Sequence, residues 1–442
     1  MKFKREGWIV LLIAFGLQAQ AQDSKTLTLD EAIRLSLQNN KQLKSSAARI
    51  DEATAALREA NDKKLPNASI SGSYIRLNTA NIDLKTKSNN GGGTQGESPN
   101  VNQAVYGLLN ITMPVYQGGK IRFGIESAAL LKKATQLDAE SEQGEVIQTT
   151  IESFANLFKA NTAVKLYQEH LRQSEQRVKE LTDLEKNGLL ARNDLLKAQW
   201  QSSNVELNLL DAENNLQIAN LNMNLMLGLP AATQIQLDTT GIERKSDSRV
   251  LDDYLQAAQY ARRDAMALDY RKQAAESGVK STKAEMLPSL QLTGGYIAAD
   301  IPNVLTVTNA MNVGVGLSYN IGSLWKNKAK VQQAQARVRQ LEIAESIKQD
   351  QITIDVNKSY LDLLSSRKKI DVMAKALEQA QENYRIVKNK FDNNLATTSD
   401  LLEADVARFQ SGLAYTLSRA DAFVAYHKLL QSTGLLNTEW NK

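Results

Sequence analysis

Few side chains in this sequence could carry covalent or metal chemistry. The 442 residues include no Cys and only two His, His170 and His427, both on predicted helices. A chain without Cys forms no disulfide and offers no thiol nucleophile. Two isolated imidazoles argue against a His-based metal site and against a catalytic triad. The sequence therefore predicts that the protein is not an enzyme and that it binds no cofactor and no metal.

The composition points to long helices rather than to a compact enzyme core. Ala, Leu, Gln, Asn, Lys and Glu are abundant, whereas aromatic residues make up 6% of the chain. The formal net charge of +4 is small, and no basic run concentrates it. We therefore expect no nucleic-acid partner.

The first 21 residues have the pattern of a secretory signal peptide. Basic residues near the start precede a short apolar stretch at 8–17, and the small residues Ala19 and Ala21 fit a cleavage site. That stretch is too short for a spanning helix, and no later stretch reaches the ~20 apolar residues that one needs. Any membrane span of the mature chain is therefore expected to consist of strands.

The sequence repeats itself, which indicates a duplicated fold. The stretch 64–74 matches 286–296, and the turn motif at 187–196 matches 393–402. The first pair is offset by 222 residues and the second by 206. The difference of 16 residues is accommodated by a polar, Gly-rich loop at 78–102 in the first repeat.

Four stretches alternate between apolar and polar or small residues, two in each repeat. They lie at 66–77, 103–116, 288–298 and 310–321. Period-two alternation over about ten residues fits transmembrane barrel strands, and it also fits a soluble sheet with one buried face. The strands alone leave both interpretations open.

The helical segments favour the membrane interpretation. Apolar and small residues follow 3-4 spacing in both repeats, which is typical of coiled coils. The outgoing segments 119–186 and 323–390 each have 68 residues, which is about 100 Å as helix. The returning segments are 193–227, 251–287, 400–432 and 29–65. The last of these supplies the half that the second repeat lacks.

Four strands cannot close a barrel, and an open strand edge is unstable in lipid. Two chains would give about eight strands around a filled bore, whereas three would give about twelve around a usable lumen. The predicted fold class is therefore mainly α with a small β part. It is a duplicated, antiparallel helical coiled-coil barrel with four transmembrane strands per chain, and a homotrimer closes a 12-stranded barrel in lipid.

The mature chain resembles the TolC family of outer-membrane efflux and secretion channels along its whole length. The motifs that carry the resemblance are LTLDEAIRLSLQNN at 27–40, the LPxxxxxG strand starts at Leu65 and Leu287, PVYQGGK at 114–120, NGL followed by DLL at 187–196, GLP at 228–230 and GL at 434–435. Each motif is moderately specific, and their order across a duplicated chain is strongly specific.

The resemblance implies an outer-membrane channel of a Gram-negative-type cell, with its strands in outer-membrane lipid and its helical tunnel in the periplasm. It implies passive export of small molecules, such as drugs, or of secreted polypeptides. An inner-membrane pump or transporter would supply the energy, and a periplasmic adaptor (membrane fusion) protein would join it to the channel. The resulting domain order is a signal peptide at 1–21, a first repeat at 22–227, an equatorial linker at 228–250, a second repeat at 251–436 and a tail at 437–442.

In the family, rings of acidic side chains close the periplasmic end of the tunnel, and the matching residues here are Asp400 and Glu403. Three-fold symmetry would bring like charges together, which attracts cations and raises the pKa of the carboxyl groups. Asp400 fits an N-cap of the returning helix equally well, and Glu403 also fits a cap partner or a solvated face. The Arg that latches the closed state in the family falls at Ala396, so Arg192 is predicted as a substitute latch.

The two turns that join the long outgoing helices to the returning ones are the expected adaptor contacts. The family's Gly-Leu pair is present as Gly188 and Leu189 in the first turn and as Asn394 and Leu395 in the second. Asn tolerates the left-handed backbone that Gly favours. Ordinary turn chemistry would select such residues in any case.

A periplasmic coiled-coil scaffold or adaptor without channel activity is the main alternative. It explains the signal peptide and the coiled-coil spacing, but it leaves the four alternating strands unexplained. The scattered Met residues do not favour metal cargo. Small-molecule and polypeptide cargo stay open, because in such systems the pump selects the substrate.

Overall fold

A computed structural model describes residues 24–80, 101–238, 249–302 and 304–440. The predicted signal peptide, most of the polar loop at 78–102, residues 239–248 of the predicted linker and the last two residues lie outside this description.

The described chain is mainly helical with a small sheet part, which confirms the prediction of a mainly α chain with a small β part. The helices are α1 (Leu29–Asn39), α2 (Lys41–Asp62), α3 (Lys120–Lys186), α4 (Arg192–Leu227), α5 (Leu251–Ala261), α6 (Arg263–Ala284), α7 (Ser323–Asp392), α8 (Thr398–Ser432) and α9 (Leu436–Trp440). The strands are β1 (Ser24–Leu27), β2 (Asn67–Ala80), β3 (Val101–Tyr116), β4 (Gln234–Leu237), β5 (Ser289–Ile301) and β6 (Leu305–Ser318). No Pro, which would break a helix, occurs within α3 or α7.

The chain groups into two compact units that do not coincide with the two sequence repeats. The tip unit takes the described residues of 1–47, 138–264 and 348–442, and the sheet unit takes those of 48–137 and 265–347. Each unit therefore draws on both repeats. None of the described helices has both the length and the apolar composition that crossing a bilayer requires.

The sheet unit contains one antiparallel sheet with the strand order β2-β3-β5-β6. Each repeat contributes a hairpin, and the pairing of β3 with β5 joins the two hairpins. Alternate residues of β6, namely Met311, Val313, Val315 and Leu317, are 66–93% exposed. Within the described residues, the outer strands β2 and β6 each have one edge without a neighbouring strand. The single chain therefore leaves both an apolar sheet face and two strand edges uncovered.

The tip unit contains a parallel strand pair that the sequence analysis did not predict. Strand β4 lies within the predicted linker and pairs with β1 from Ser24↔Gln234 to Leu27↔Leu237. Leu27 is fully buried, so this short pair ties the linker to the N-terminal part of the unit.

Two returning segments that the sequence spacing predicts as continuous, 29–65 and 251–287, are broken. Residue 40 separates α1 from α2, and residue 262 separates α5 from α6. At the first break, Asn39 Nδ2 donates to the carbonyl of Leu227 at 2.8 Å and caps the end of α4. At the second, Arg262 Nη1 donates to the carbonyl of Ser432 at 2.9 Å and caps the end of α8. The duplicated chain therefore uses the same arrangement twice, with different side chains.

A partly buried ionic group stabilises the second break. Asp264 accepts two hydrogen bonds from Arg262, at 2.8 and 2.6 Å, and lies 2.6 Å from Lys348 Nζ. The side chains of Arg262 and Asp264 are only 12% and 19% exposed. Burial by itself raises the pKa of Asp264, but the hydrogen bonds from Arg262 and Lys348 outweigh it and hold that pKa well below its usual value.

Candidate gate and tip contacts

The first tip turn (187–191) and the second tip turn (393–397) have the same backbone geometry. Gly188 and Asn394 take positive φ angles of 72° and 60° at equivalent places. The amide of Leu189 donates to the carbonyl of Leu184 at 2.9 Å, and the amide of Leu395 donates to that of Lys390 at 2.7 Å. This six-to-one hydrogen bond around a left-handed residue is a Schellman turn, and it explains why only Gly or Asn suits the position.

Each turn presents one apolar side chain to solvent. Leu189 is 73% exposed and Leu395 is 77% exposed. Beneath them, Leu181, Leu195 and Ala198 form a buried cluster, against which Phe391 and Leu402 pack. The two turns are therefore held side by side on a shared apolar base, with both Leu side chains free of it.

Asp400 is part of the cap of α8, although it is not the N-cap residue itself. Thr397 is the N-cap, and its hydroxyl accepts from the Asp400 amide at 3.2 Å. The Asp400 carboxylate accepts in return from the Thr397 amide at 2.9 Å and from its hydroxyl at 2.7 Å, which completes a capping box. The backbone hydrogen bond from Thr397, followed by the one from its hydroxyl, lowers the pKa of Asp400.

Glu403 lies one turn further along α8, with an exposed side chain. It takes no part in the capping box of Thr397 and Asp400. In the single chain it therefore belongs to the solvated face of the helix.

Arg192, the predicted substitute latch, pairs within its own hairpin. Its Nη1 atom lies 3.7 Å from Glu185 at the end of α3, and its side chain is 64% exposed. Beside the tip turns, Lys197 makes one contact between the two hairpins. Its ammonium group lies 3.1 Å from Asp194 on α4 and donates to Ser399 Oγ on α8 at 3.0 Å.

Sequence reasoning missed Lys197 because its partner lies 202 residues away along the chain. The available signal was its position one turn into α4, at the place that Glu403 occupies in α8. Among the described residues, no group of three or more His, Asp or Glu side chains could hold a metal ion.

The long helices, the four-stranded sheet and the duplicated tip turns together define a fold of the TolC-like channel class. The model of the family described as "Outer membrane efflux protein" matches residues 32–229 and 254–435. The chain therefore belongs to the outer membrane efflux protein family, which consists of outer-membrane channels with a periplasmic helical tunnel. Its location is accordingly the outer membrane.

Individual relatives agree with this assignment. The chain is 26% identical to the outer membrane protein TolC of Escherichia coli K12 over 178 residues, which are 40% of this chain and 36% of TolC. Its fold is similar to that of VceC from Vibrio cholerae, with a TM-score of 0.74, 18% identity and coverage of 92% of this chain and 96% of VceC. The Campylobacter jejuni CmeC channel has a TM-score of 0.76 at 18% identity, with coverage of 92% and 86%.

Proposed function

We propose that the protein is the outer-membrane channel of a tripartite export system. It passively conducts small molecules or secreted polypeptides that an inner-membrane pump delivers through a periplasmic adaptor. The observation that carries the proposal is the four-stranded sheet, with an apolar face on β6 and two outer strands, β2 and β6. Unpaired strand edges are costly in a bilayer, and closure with further copies removes them.

A homotrimer is the assembly that these surfaces favour. Three copies of the sheet would give about twelve strands, enough to enclose a lumen. The helices supply a second surface, because α4 exposes apolar side chains at successive intervals of 4, 7, 11 and 7 residues. They are Leu196, Trp200, Leu207, Ile218 and Leu225, each at least 50% exposed. Such a stripe on one side of a helix is typical of a coiled-coil seam that packs against another helix.

The tip turns are the proposed adaptor contact. Leu189 and Leu395 project from two adjacent turns that share one apolar base. Exposed Leu side chains at the ends of rigid hairpins can enter apolar pockets of a partner at little conformational cost. The inner-membrane pump would act through that adaptor.

Asp400 and Glu403 are the proposed gate. The capping box keeps the Asp400 pKa low in the single chain, so the carboxylate stays ionised at neutral pH. A three-fold ring of such groups would attract cations and repel anions, while their mutual repulsion would act against the low pKa. Lys197 positions the start of α8 by holding Ser399, and it joins Arg192 as a proposed latch residue.

Single-channel conductance in planar bilayers tests the channel and the gate together. Asp400→Asn/Glu403→Gln removes both charges while keeping a side-chain oxygen for the cap. Asp211→Asn/Glu206→Gln is the matched control, since both residues are exposed on α4. We expect a small cation-selective conductance in the wild type and the control, and a larger, less selective one in the gate variant.

Each outcome separates the parts of the proposal. An unchanged conductance in the gate variant would leave the channel but remove the acidic gate. A folded protein that carbonate washes from membranes, and that conducts nothing, would support a periplasmic scaffold instead. Molar mass in detergent, measured by light scattering, would decide between the trimer and other assemblies.

A further inference from the structure

A buried carboxylate in the tip unit joins helices that form different hairpins. Asp405 on α8 is 5% exposed, and its two oxygens lie 2.7 Å from Arg177 Nη1 on α3 and 2.9 Å from Arg408 Nη2 on α8. Arg177 is itself only 12% exposed. Charge-assisted hydrogen bonds of this kind hold their partners firmly when water is excluded. The carboxylate therefore fixes α8 to α3 at this level.

Helix α7 joins the same group through Tyr384. The Tyr384 hydroxyl accepts from Arg177 Nη2 at 2.9 Å, and the guanidinium carbon of Arg408 lies 4.2 Å from the centre of the Tyr384 ring. A cation over an aromatic face is an attractive contact. The hairpin of α7 and α8 thus meets α3 through one connected set of polar groups.

His170 on α3 completes the group and is its unusual member. The side chain is 5% exposed, and its ring stacks on Phe409 with a centroid distance of 4.1 Å and an angle of 7°. Its Nδ1 atom lies 3.9 Å from Asp405, which is too far for a hydrogen bond. A neutral imidazole suits this stacked position. A protonated imidazole would be buried there without a hydrogen bond to the Asp405 carboxylate.

The charges around His170 disfavour its protonation. Among the described residues, the ionised groups that act on it are Asp405, Arg177 and Arg408, and the other titratable group of the cluster is Tyr384 on α7. With two cations against one anion, a proton on His170 would add positive charge to a buried site that already carries an excess. Burial lowers the pKa of His170 first, and the two arginines add to it against the opposing effect of Asp405.

We propose that His170, Arg177, Tyr384, Asp405 and Arg408 form an acid-sensitive clasp that holds the α7–α8 hairpin against α3. At neutral pH the clasp is closed around a neutral His170. Below the ordinary His pKa of about 6.5, protonation of His170 penalises the closed arrangement, and the penalty grows as the pH falls toward the lowered pKa. The start of α8 then moves more freely relative to α3.

The clasp would regulate the proposed gate, and only its effect on conduction rests on the proposed channel function. Asp400 and Glu403 lie on the same helix, within two turns of Asp405. Release of α8 by acid would therefore act on the residues proposed to close the tunnel. The structural event itself can be measured without any channel activity.

Hydrogen exchange of the purified full-length protein at pH 7.5 and pH 5.5 (about one unit on either side of the ordinary His pKa) tests the clasp, after correction for the intrinsic pH dependence of exchange. We expect residues 398–410 of α8 to exchange at least about threefold faster at the lower pH in the wild type. His170→Gln cannot be protonated and should remove this step. His427→Gln is the matched control, because His427 is the other His of the chain and is equally buried.

Several results would contradict the proposal. An acid step that persists in His170→Gln, or that disappears in His427→Gln, would overturn the assignment to His170. Absence of a step in the wild type would overturn the clasp as a switch. Arg177→Met should speed exchange in α8 at both pH values, and protection unchanged by that substitution would show that the cluster does not hold the hairpin. If His170→Gln does not fold, His170→Phe replaces it, since it keeps the stack on Phe409.

Discussion

Removal of the Asp264 carboxylate should destabilise the tip unit. Asp264→Asn keeps the shape of the side chain but removes the carboxylate that bonds both Arg262 and Lys348. Breaking a buried ion pair by removing one partner costs about 3–5 kcal/mol. Since Asp264 is 19% exposed and Lys348 is 32% exposed, solvent screening places the expected loss at the lower end, about 3 kcal/mol.

Thermal unfolding of the detergent-purified protein, followed by circular dichroism, measures this loss. A change of 1 kcal/mol shifts the midpoint by about 2–4 °C in domains of 150–250 residues, so Asp264→Asn should lower it by about 6 °C or more. Asp269→Asn is the control, because Asp269 is also on α6, is 40% exposed and pairs with Lys272 one turn away. Its midpoint should fall by less than about 2 °C. Equal shifts in the two variants would refute the argument from burial.

The same ionic group predicts the acid dependence of stability. The folded state lowers the pKa of Asp264, so its contribution is complete above the ordinary Asp pKa of about 3.9. It is lost as the pH falls through the folded pKa, because the carboxyl must then bind a proton that the unfolded chain already holds. The wild type should therefore lose more stability below about pH 4 than Asp264→Asn does. Parallel acid profiles would contradict the assignment.

Two further predictions concern the tip turns. Gly188→Ala should destabilise the first tip turn by about 1–2 kcal/mol, because Ala disfavours a positive φ. Gly188→Asn should cost less, since Asn394 holds the same conformation. We expect faster hydrogen exchange at Leu189 in the Ala variant alone, and equal exchange in both variants would contradict the prediction. Ala191→Thr should add the missing side-chain N-cap of α4 and stabilise this turn by about 1 kcal/mol, so that limited proteolysis cleaves the turn more slowly. Unchanged cleavage would show that the start of α4 is already capped in another way.

The long helices could be predicted from the sequence because their spacing is a local property. Helix α7 was expected over 323–390 and is observed over Ser323–Asp392. The breaks at residues 40 and 262 could not be predicted in this way, since neither position has a Gly or Pro beside it. Each break is instead associated with a cap on a helix end far away in the sequence, which no local pattern records.

In the candidate site, too, local features could be predicted from the sequence and long-range contacts could not. The Schellman turns at Gly188 and Asn394 follow from residue type, and the family pattern pointed to Asp400 and Glu403. Lys197 was missed because its partner across the hairpins is nonlocal. Asp405 carried a signal that was overlooked: it stands four residues after the buried Leu401, so its charge falls on the apolar side of α8.

The two caps at the helix breaks also bear on the order in which the chain folds. Asn39 reaches Leu227 across 188 residues, and Arg262 reaches Ser432 across 170. Contacts between such distant positions form only after large loops have closed, which makes them slow to appear. The final turns of α4 and α8 would therefore mature late, after the returning helices have docked. An incompletely docked chain would therefore carry two frayed helix ends, one on each returning helix.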